Sequence, residues 1–144
     1  MLYRITTISN EKLFLNYAFQ ESKYVSFCTF KSIHKGDLMP SYFDFFKNAE
    51  NSLFIPNNID YAPHQHYTKG QKFHYYMLDN EMKKLILEKG LKSWNTPYYP
   101  EDIAFYNSRS AWFYTISHEN IFYLNSDNPQ TIQNLLNIGC EIQC

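Results

Sequence analysis

Glycine is scarce in this chain, with four in 144 residues. Phosphate cradles are built from glycine backbone, and neither Gly-x-Gly-x-x-Gly nor Gly-x-x-x-x-Gly-Lys-Ser/Thr occurs. Gly-x-Ser-x-Gly and His-Glu-x-x-His are also missing. Nucleotide-dependent enzymes are therefore disfavoured and no cofactor is expected. Cysteine is equally sparse. Cys28, Cys140 and Cys144 form an odd set without metal-finger spacing, so a disulfide scaffold is not expected. Only Arg4 and Arg109 are arginines among 13 basic residues, which leaves little for bidentate phosphate recognition. No window approaches about 18 consecutive apolar residues, and the first residues lack a basic region followed by an apolar run. A reduced, cytoplasmic protein without a membrane segment is the expectation.

Aromatic rings fill the space that small residues leave. There are 13 tyrosines, 12 phenylalanines and two tryptophans, and 44% of the chain is hydrophobic. A chain of this length forms one domain and buries roughly two-thirds of its unfolded surface. Disordered, collagen-like and low-complexity readings are excluded by the same composition. The formal charge of −1 supplies no global field for a polyanion. It is unevenly laid out: residues 61–95 carry six lysines against three acids, and residues 96–144 carry Arg109 against five acids.

Local patterns predict an opening strand over residues 2–8, then a helix capped by Ser9 or Asn10 with Leu13, Phe14, Tyr17 and Ala18 on one face. Tyr24 to Phe30 reads as a strand, Gly36-Asp37 as a turn, and Ser41 after Pro40 as the opening of a short helix carrying Tyr42, Phe43, Phe45 and Phe46. Leu53-Phe54-Ile55 is a brief apolar run stopped by Pro56. Residues 56–72 hold Pro56, Pro63 and Gly70 and read as a long surface loop. Asp79 caps a further helix with Met82, Leu85, Ile86 and Lys89 on one face and Gly90 as its stop. Residues 102–107, 111–117 and 121–125 are three short runs whose connections force antiparallel neighbours. A last helix starts at Ser126 or Asp127 with Pro129 in its first turn, buries Ile132, Leu135 and Leu136, and ends at Gly139. The expected fold is α+β: an antiparallel sheet, including a C-terminal three-stranded meander, with helices on one face.

Three groups of residues carry chemistry. His64 and His66, with His74 farther on, have imidazoles spaced to converge on a metal. His-x-His is a short pattern, however, and exposed loop histidines account for it, so no metal is expected. His118 and Glu119 lie in a tight connection where a histidine serves as general base and an acid orients a partner, giving a small hydrolase or nuclease as one alternative. Neighbours on a strand point to opposite faces, so the pair requires a bend; turn-capping is the simpler reading. Lysines 69, 72, 83, 84, 89 and 92, interleaved with Tyr67, Phe73, Tyr75, Tyr76 and Trp94, give a second alternative, a single-stranded nucleic-acid module. Cys28, between aromatic neighbours, reads as a packed, inert thiol.

The acidic final third combines Glu101, Asp102, Glu119 and Asp127 with strands bearing Tyr106, Trp112 and Tyr114, and with Arg109 and His118 in the turns. Rings rimmed by acids suit protein recognition. The segment Tyr98-Tyr-Pro-Glu-Asp-Ile-Ala-Phe-Tyr-Asn, followed by Trp112-Phe-Tyr-Thr-Ile-Ser-His-Glu, resembles small bacterial immunity-type proteins of toxin and immunity loci. The resemblance implies a non-catalytic, single-domain binder that blocks a toxin by docking on it, and it carries over no catalytic residue. A protein-interaction protein whose sheet face and acidic loops occlude a partner is the leading expectation.

Overall fold

A computed structural model describes residues 1–56 and 70–144. The fold is α+β, as expected. Among the described residues, eight strands, β1 (Leu2–Ile8), β2 (Tyr24–Phe30), β3 (Leu53–Phe54), β4 (Gln71–Met77), β5 (Glu101–Tyr106), β6 (Ala111–Ile116), β7 (Ile121–Asn125) and β8 (Cys140–Gln143), form one sheet. Their spatial order is β3-β4-β2-β5-β6-β7-β1-β8, and every pairing is antiparallel. The helices among the described residues are α1 (Glu11–Glu21), α2 (Pro40–Ala49), α3 (Asn80–Lys89) and α4 (Pro129–Asn137). Among the described residues, no helix is long and apolar enough to cross a membrane.

Each helix begins where the sequence provides an acceptor or a preset φ. Asn10 accepts from the Leu13 N–H at 3.0 Å, Asp79 from the Met82 N–H at 2.9 Å, and Asn128 from the Gln130 N–H at 3.0 Å. The α4 cap is thus Asn128, one or two residues later than expected. Proline opens α2 and α4. Gly90 and Gly139 follow α3 and α4 with φ of 77° and 94°, where a Cβ would be strained. At Gly139 the space is closed as well, because an added Cβ would lie 2.1 Å from the Ser9 hydroxyl.

Two strands were not legible in the sequence. Gln71 and Lys72 were expected in a loop, yet they open β4, which pairs with β2 along its whole length, from Gln71 opposite Phe30 to Met77 opposite Tyr24. β8 at the carboxyl end pairs with β1. Both are short, mixed sequences that become strands because a neighbour's backbone is waiting to be paired. The buried face of α1 also differs in phase: Phe14, Leu15, Ala18 and Phe19 are buried while Leu13 is exposed. In α4, Leu135 is buried and Leu136 is exposed.

The main core joins strand residues Ile5, Val25, Phe27, Phe105, Phe113 and Leu124 to helix residues Phe14, Leu15, Phe45, Met82, Ile86 and Leu135. Phe27 lies at its centre, with ring centroids 4.5 Å from Trp94, 5.0 Å from Phe45 and 6.0 Å from Tyr76. Among the described residues, a second buried cluster is made of the strand residues Ala104, Tyr106, Ala111 and Tyr114, with Tyr24, Tyr75 and Tyr123 packed against it. Alternation along β5 sends Phe105 to the first cluster and Tyr106 to the second. Every residue of β5 is buried, as are Ala111 to Thr115 of β6.

Candidate functional site

Both ends of the β5–β6 hairpin carry polar groups, and one end gathers ionisable ones. Opposite β2, the register of β5 slips: Ser26 pairs with Ala104, whereas Cys28 pairs with Glu101. One extra residue therefore lies in β5, a bulge of the kind that re-aims side chains. Asp102 occupies it with φ of 57°, a left-handed conformation that aspartate tolerates better than most residues. Its backbone N–H donates to the Ser117 hydroxyl at 2.8 Å, and its carboxylate accepts from the Ser117 N–H at 2.8 Å. These reciprocal bonds tie the start of β5 to the end of β6.

Ser117–Glu119 then forms a single 3₁₀ turn, and Asn120 follows with φ of 53°. This is the bend that the adjacent pair His118 and Glu119 needed. His118 Nε2 lies 3.9 Å from a Glu119 carboxylate oxygen, and His118 Nδ1 lies 4.0 Å from Glu101 Oε1. The second Glu101 oxygen accepts from the Thr96 hydroxyl at 2.5 Å. Glu101, Asp102 and His118 each offer one ligand atom within 4.8 Å of the others. The two carboxylates are buried, while the His118 side chain is 64% exposed and that of Glu119 54% exposed.

Burial dominates the electrostatics. It raises the Asp102 carboxyl from its ordinary 3.8 to about 6, aided by the neighbouring Glu101 charge and opposed by the bonds to Ser117 and by His118. The Tyr42 phenol of α2 is raised by burial and, secondarily, by Glu101. Cys28 is raised well above the ordinary thiol value, chiefly by burial and next by the Asp102 charge, with Gln71 Nε2 donating to its sulfur at 3.4 Å. A thiol so placed stays protonated and is a poor nucleophile, in keeping with the packed role expected of it.

An apolar fringe adjoins this pole. The Met39 N–H donates to the Pro97 carbonyl at 3.0 Å and the Ser41 hydroxyl to the Tyr98 carbonyl at 2.7 Å, so the start of α2 is fastened to the segment leading into β5. Met39, Phe43 and Tyr98 are all exposed there. Beside Ser117, a cavity bordered by Trp94, Asn95, Thr115 and Asn120 holds about 30 Å³, room for a water or two.

The remaining candidates scatter. The expectation that the C-terminal strands expose their rings does not hold for Tyr106, Trp112 and Tyr114, all three of which are buried. Tyr106 shares a 2.8 Å hydrogen bond with Ser26, Trp112 donates to the Ser22 hydroxyl at 2.8 Å, and Tyr114 stacks on Tyr123 at 5.2 Å. Arg109 is exposed in the turn at the other end of the hairpin. Asp127 is exposed and pairs with the amino-terminal ammonium. His74 sits in β4, with Nε2 2.8 Å from the Thr29 hydroxyl and its ring 5.2 Å from Phe46. Burial, with Lys72 beside it, lowers its pKa from 6.5 to about 4. His64 and His66, like Tyr67 and Lys69, lie outside the described residues. Of the lysine-rich patch, Lys72, Lys84 and Lys92 are exposed, but Tyr76 and Trp94 belong to the core.

Glu101, Asp102, His118 and Glu119 are candidates from the sequence, but their meeting at one end of the hairpin and the partnership of Thr96 and Ser117 appear only in the fold. The spacing of 15 residues between Asp102 and Ser117, across a predicted hairpin, was the available signal. Compared with known proteins, the chain matches no family model, no curated protein and no solved structure.

Proposed function

We propose that this chain is a non-catalytic interaction protein that docks on a protein partner through the Glu101–His118–Glu119 pole, acting in the cytoplasm as the immunity-type proteins it resembles would. In this reading, β5, β6 and β7 are a meander backed by helices on one face, and the hairpin end presents the docking groups. The observation that carries it is that exposed Met39, Phe43 and Tyr98 lie where α2 is fastened to the segment entering β5, the strand end at which exposed His118 and Glu119 stand beside the buried Glu101 carboxylate. Apolar centres with polar rims are the anatomy of protein interfaces. The adjoining cavity of about 30 Å³ is too small for a small-molecule substrate, whose pockets run to roughly 300 Å³ and above.

The test is co-expression with each protein encoded beside this chain's own gene, read by protection of the cell from that protein and by affinity of the purified pair. Tyr98→Ser and Glu119→Lys are each expected to weaken binding about tenfold or more with unchanged Tm. A chain that binds no partner encoded at its locus, or variants that bind as tightly as the parent, would refute the proposal.

A second reading has its own observation. His118 stands between two carboxylates at 4.0 and 3.9 Å, an arrangement that suits general acid–base chemistry in a small hydrolase or nuclease. Under that reading His118→Gln abolishes turnover with unchanged Tm. Under the docking reading no turnover exists to lose.

A further inference from the structure

At the end of the hairpin opposite the carboxylate pole, four stretches far apart in sequence border a cavity of about 210 Å³: the end of α1, the β5–β6 turn, the end of β7 and the first turn of α4. We infer that it is a binding site for a neutral polyhydroxylated ring of monosaccharide size. The site is independent of the docking reading.

The lining selects that class. Glu21, Asn107, Ser108, Asn125 and Thr131 all border the cavity, and among the described residues their side chains make no hydrogen bond or ion pair. Amides and hydroxyls both donate and accept, as ligand hydroxyls do, and the Glu21 carboxylate can accept from two at once. Neighbouring hydroxyls on one ring therefore meet partners of both kinds. Ala111 and Trp112 add an apolar strip to the lining, which suits the C–H face of such a ring.

An anion is disfavoured. Glu21 brings a negative charge and stands in the last turn of α1, where the helix dipole is negative as well. The start of α4 would ordinarily attract a phosphate or carboxylate, but its first N–H groups are occupied. Residue 129 is proline, the Gln130 N–H donates to Asn128 Oδ1 at 3.0 Å, and the Thr131 N–H donates to the Asn128 carbonyl at 3.1 Å. A lone ammonium would use Glu21 and leave the NH2 donors of Asn107 and Asn125 unanswered. The volume, below the range of drug-sized pockets, admits about one six-membered ring with its substituents.

The framework is already ordered. The Trp112 indole N–H donates to the Ser22 hydroxyl at 2.8 Å, and its ring meets Tyr17 edge-on at 6.0 Å. Asn125 pairs with Leu2 at the end of β7, and the Ser126 N–H donates to the Met1 carbonyl at 3.0 Å. Walls held in this way lose little freedom when a ligand settles between them.

The experiment is titration of the isotopically labelled full chain, followed by backbone and side-chain N–H shifts, with methyl glucoside, methyl galactoside, methyl mannoside and myo-inositol as probes. Cyclohexanol, a ring with a single hydroxyl, and inorganic phosphate are the controls. Saturable shifts are expected for at least one probe at Glu21, Asn107, Asn125, Thr131 and the Trp112 indole. The controls are expected to bind at least about tenfold more weakly. Asn107→Ala and Thr131→Val should each cost about tenfold in affinity with unchanged Tm, because neither side chain is bonded within the fold. The inference is overturned if none of the four probes gives saturable shifts, if the shifts centre elsewhere such as at His118, if either control binds as tightly as the best probe, or if either variant keeps full affinity.

Discussion

Asp102 and His74 oppose one another in the pH dependence of stability, and the opposition can be unmasked by one substitution at a time. Asp102 keeps its proton up to about pH 6 in the fold, against 3.8 when unfolded. Between those values the native state binds more protons than the unfolded state, so stability falls as pH rises. Its contribution is complete below 3.8 and gone above about 6. At 1.36 kcal/mol per unit the shift is worth about 3 kcal/mol. His74 stays neutral down to about pH 4 in the fold, against 6.5 unfolded. There the unfolded state binds the extra proton, so stability rises with pH, is complete above 6.5, and is lost as pH falls through 4. Its larger nominal shift belongs to a partly exposed ring, which solvent screening reduces to about 2 kcal/mol.

The two contributions nearly cancel between pH 4 and 6.5, leaving the parent profile shallow in that window. Asp102→Asn removes the first without disturbing the backbone, because asparagine also tolerates the left-handed conformation and its carbonyl still accepts from the Ser117 N–H. Urea unfolding at half-unit steps from pH 4 to 7.5 is the assay. Relative to the parent, the Asn variant should gain about 3 kcal/mol at pH 7.5 over its standing at pH 4, exposing the rising His74 profile. His74→Gln should expose the falling one. Comparing each variant with the parent cancels the ordinary carboxylates that titrate in the same range. If the Asp102→Asn and parent profiles run parallel to within about 0.5 kcal/mol, Asp102 is not buried as described and the reasoning fails.

Asp79 caps α3 and also accepts the Ser52 hydroxyl at 2.9 and 2.8 Å, so Asp79→Ala should cost about 1–2 kcal/mol. A double-mutant cycle with Ser52→Ala should show coupling, and strict additivity would deny the shared contact. Phe27→Ala, at the centre of the main core, should cost about 3–5 kcal/mol in denaturant unfolding; a loss under 1 kcal/mol would mean that the site collapses freely. Ellman's reagent should titrate one thiol in the native protein, the exposed Cys144, and all three in urea. Cys28 and Cys140 are buried, and burial raises the Cys140 thiol to about 11. Rapid native reaction of a second thiol would contradict their placement.

Much of the local structure was legible because its causes are local. Asn10, Asp79, Pro40 and Pro129 mark helix starts through hydrogen bonds or φ preferences spanning a few residues, and Gly90 and Gly139 mark stops. The strand at Tyr24–Phe30 and those from Glu101 to Asn125 were readable from their β-branched and aromatic runs. β4 and β8 were not, since Gln71-Lys-Phe-His-Tyr-Tyr-Met and Cys140-Glu-Ile-Gln take their extended form from neighbouring strands. Burial was equally opaque: Trp112 and Tyr114 look the same in sequence whether a face is open or covered.

The sequence by itself determined the α+β class, the approximate positions of the helices, the absence of glycine-built phosphate loops and the composition of an aromatic core, because each follows from residue type and short-range spacing. Tertiary structure alone decided that Asp102 occupies a bulge, that Ser117 answers it across the hairpin, and that His118 comes within 4.0 Å of Glu101 and 3.9 Å of Glu119. It likewise brought Glu21, Asn107 and Asn125 to one cavity. Those contacts depend on strand register and sheet order, which are set by long-range pairing that local spacing does not encode.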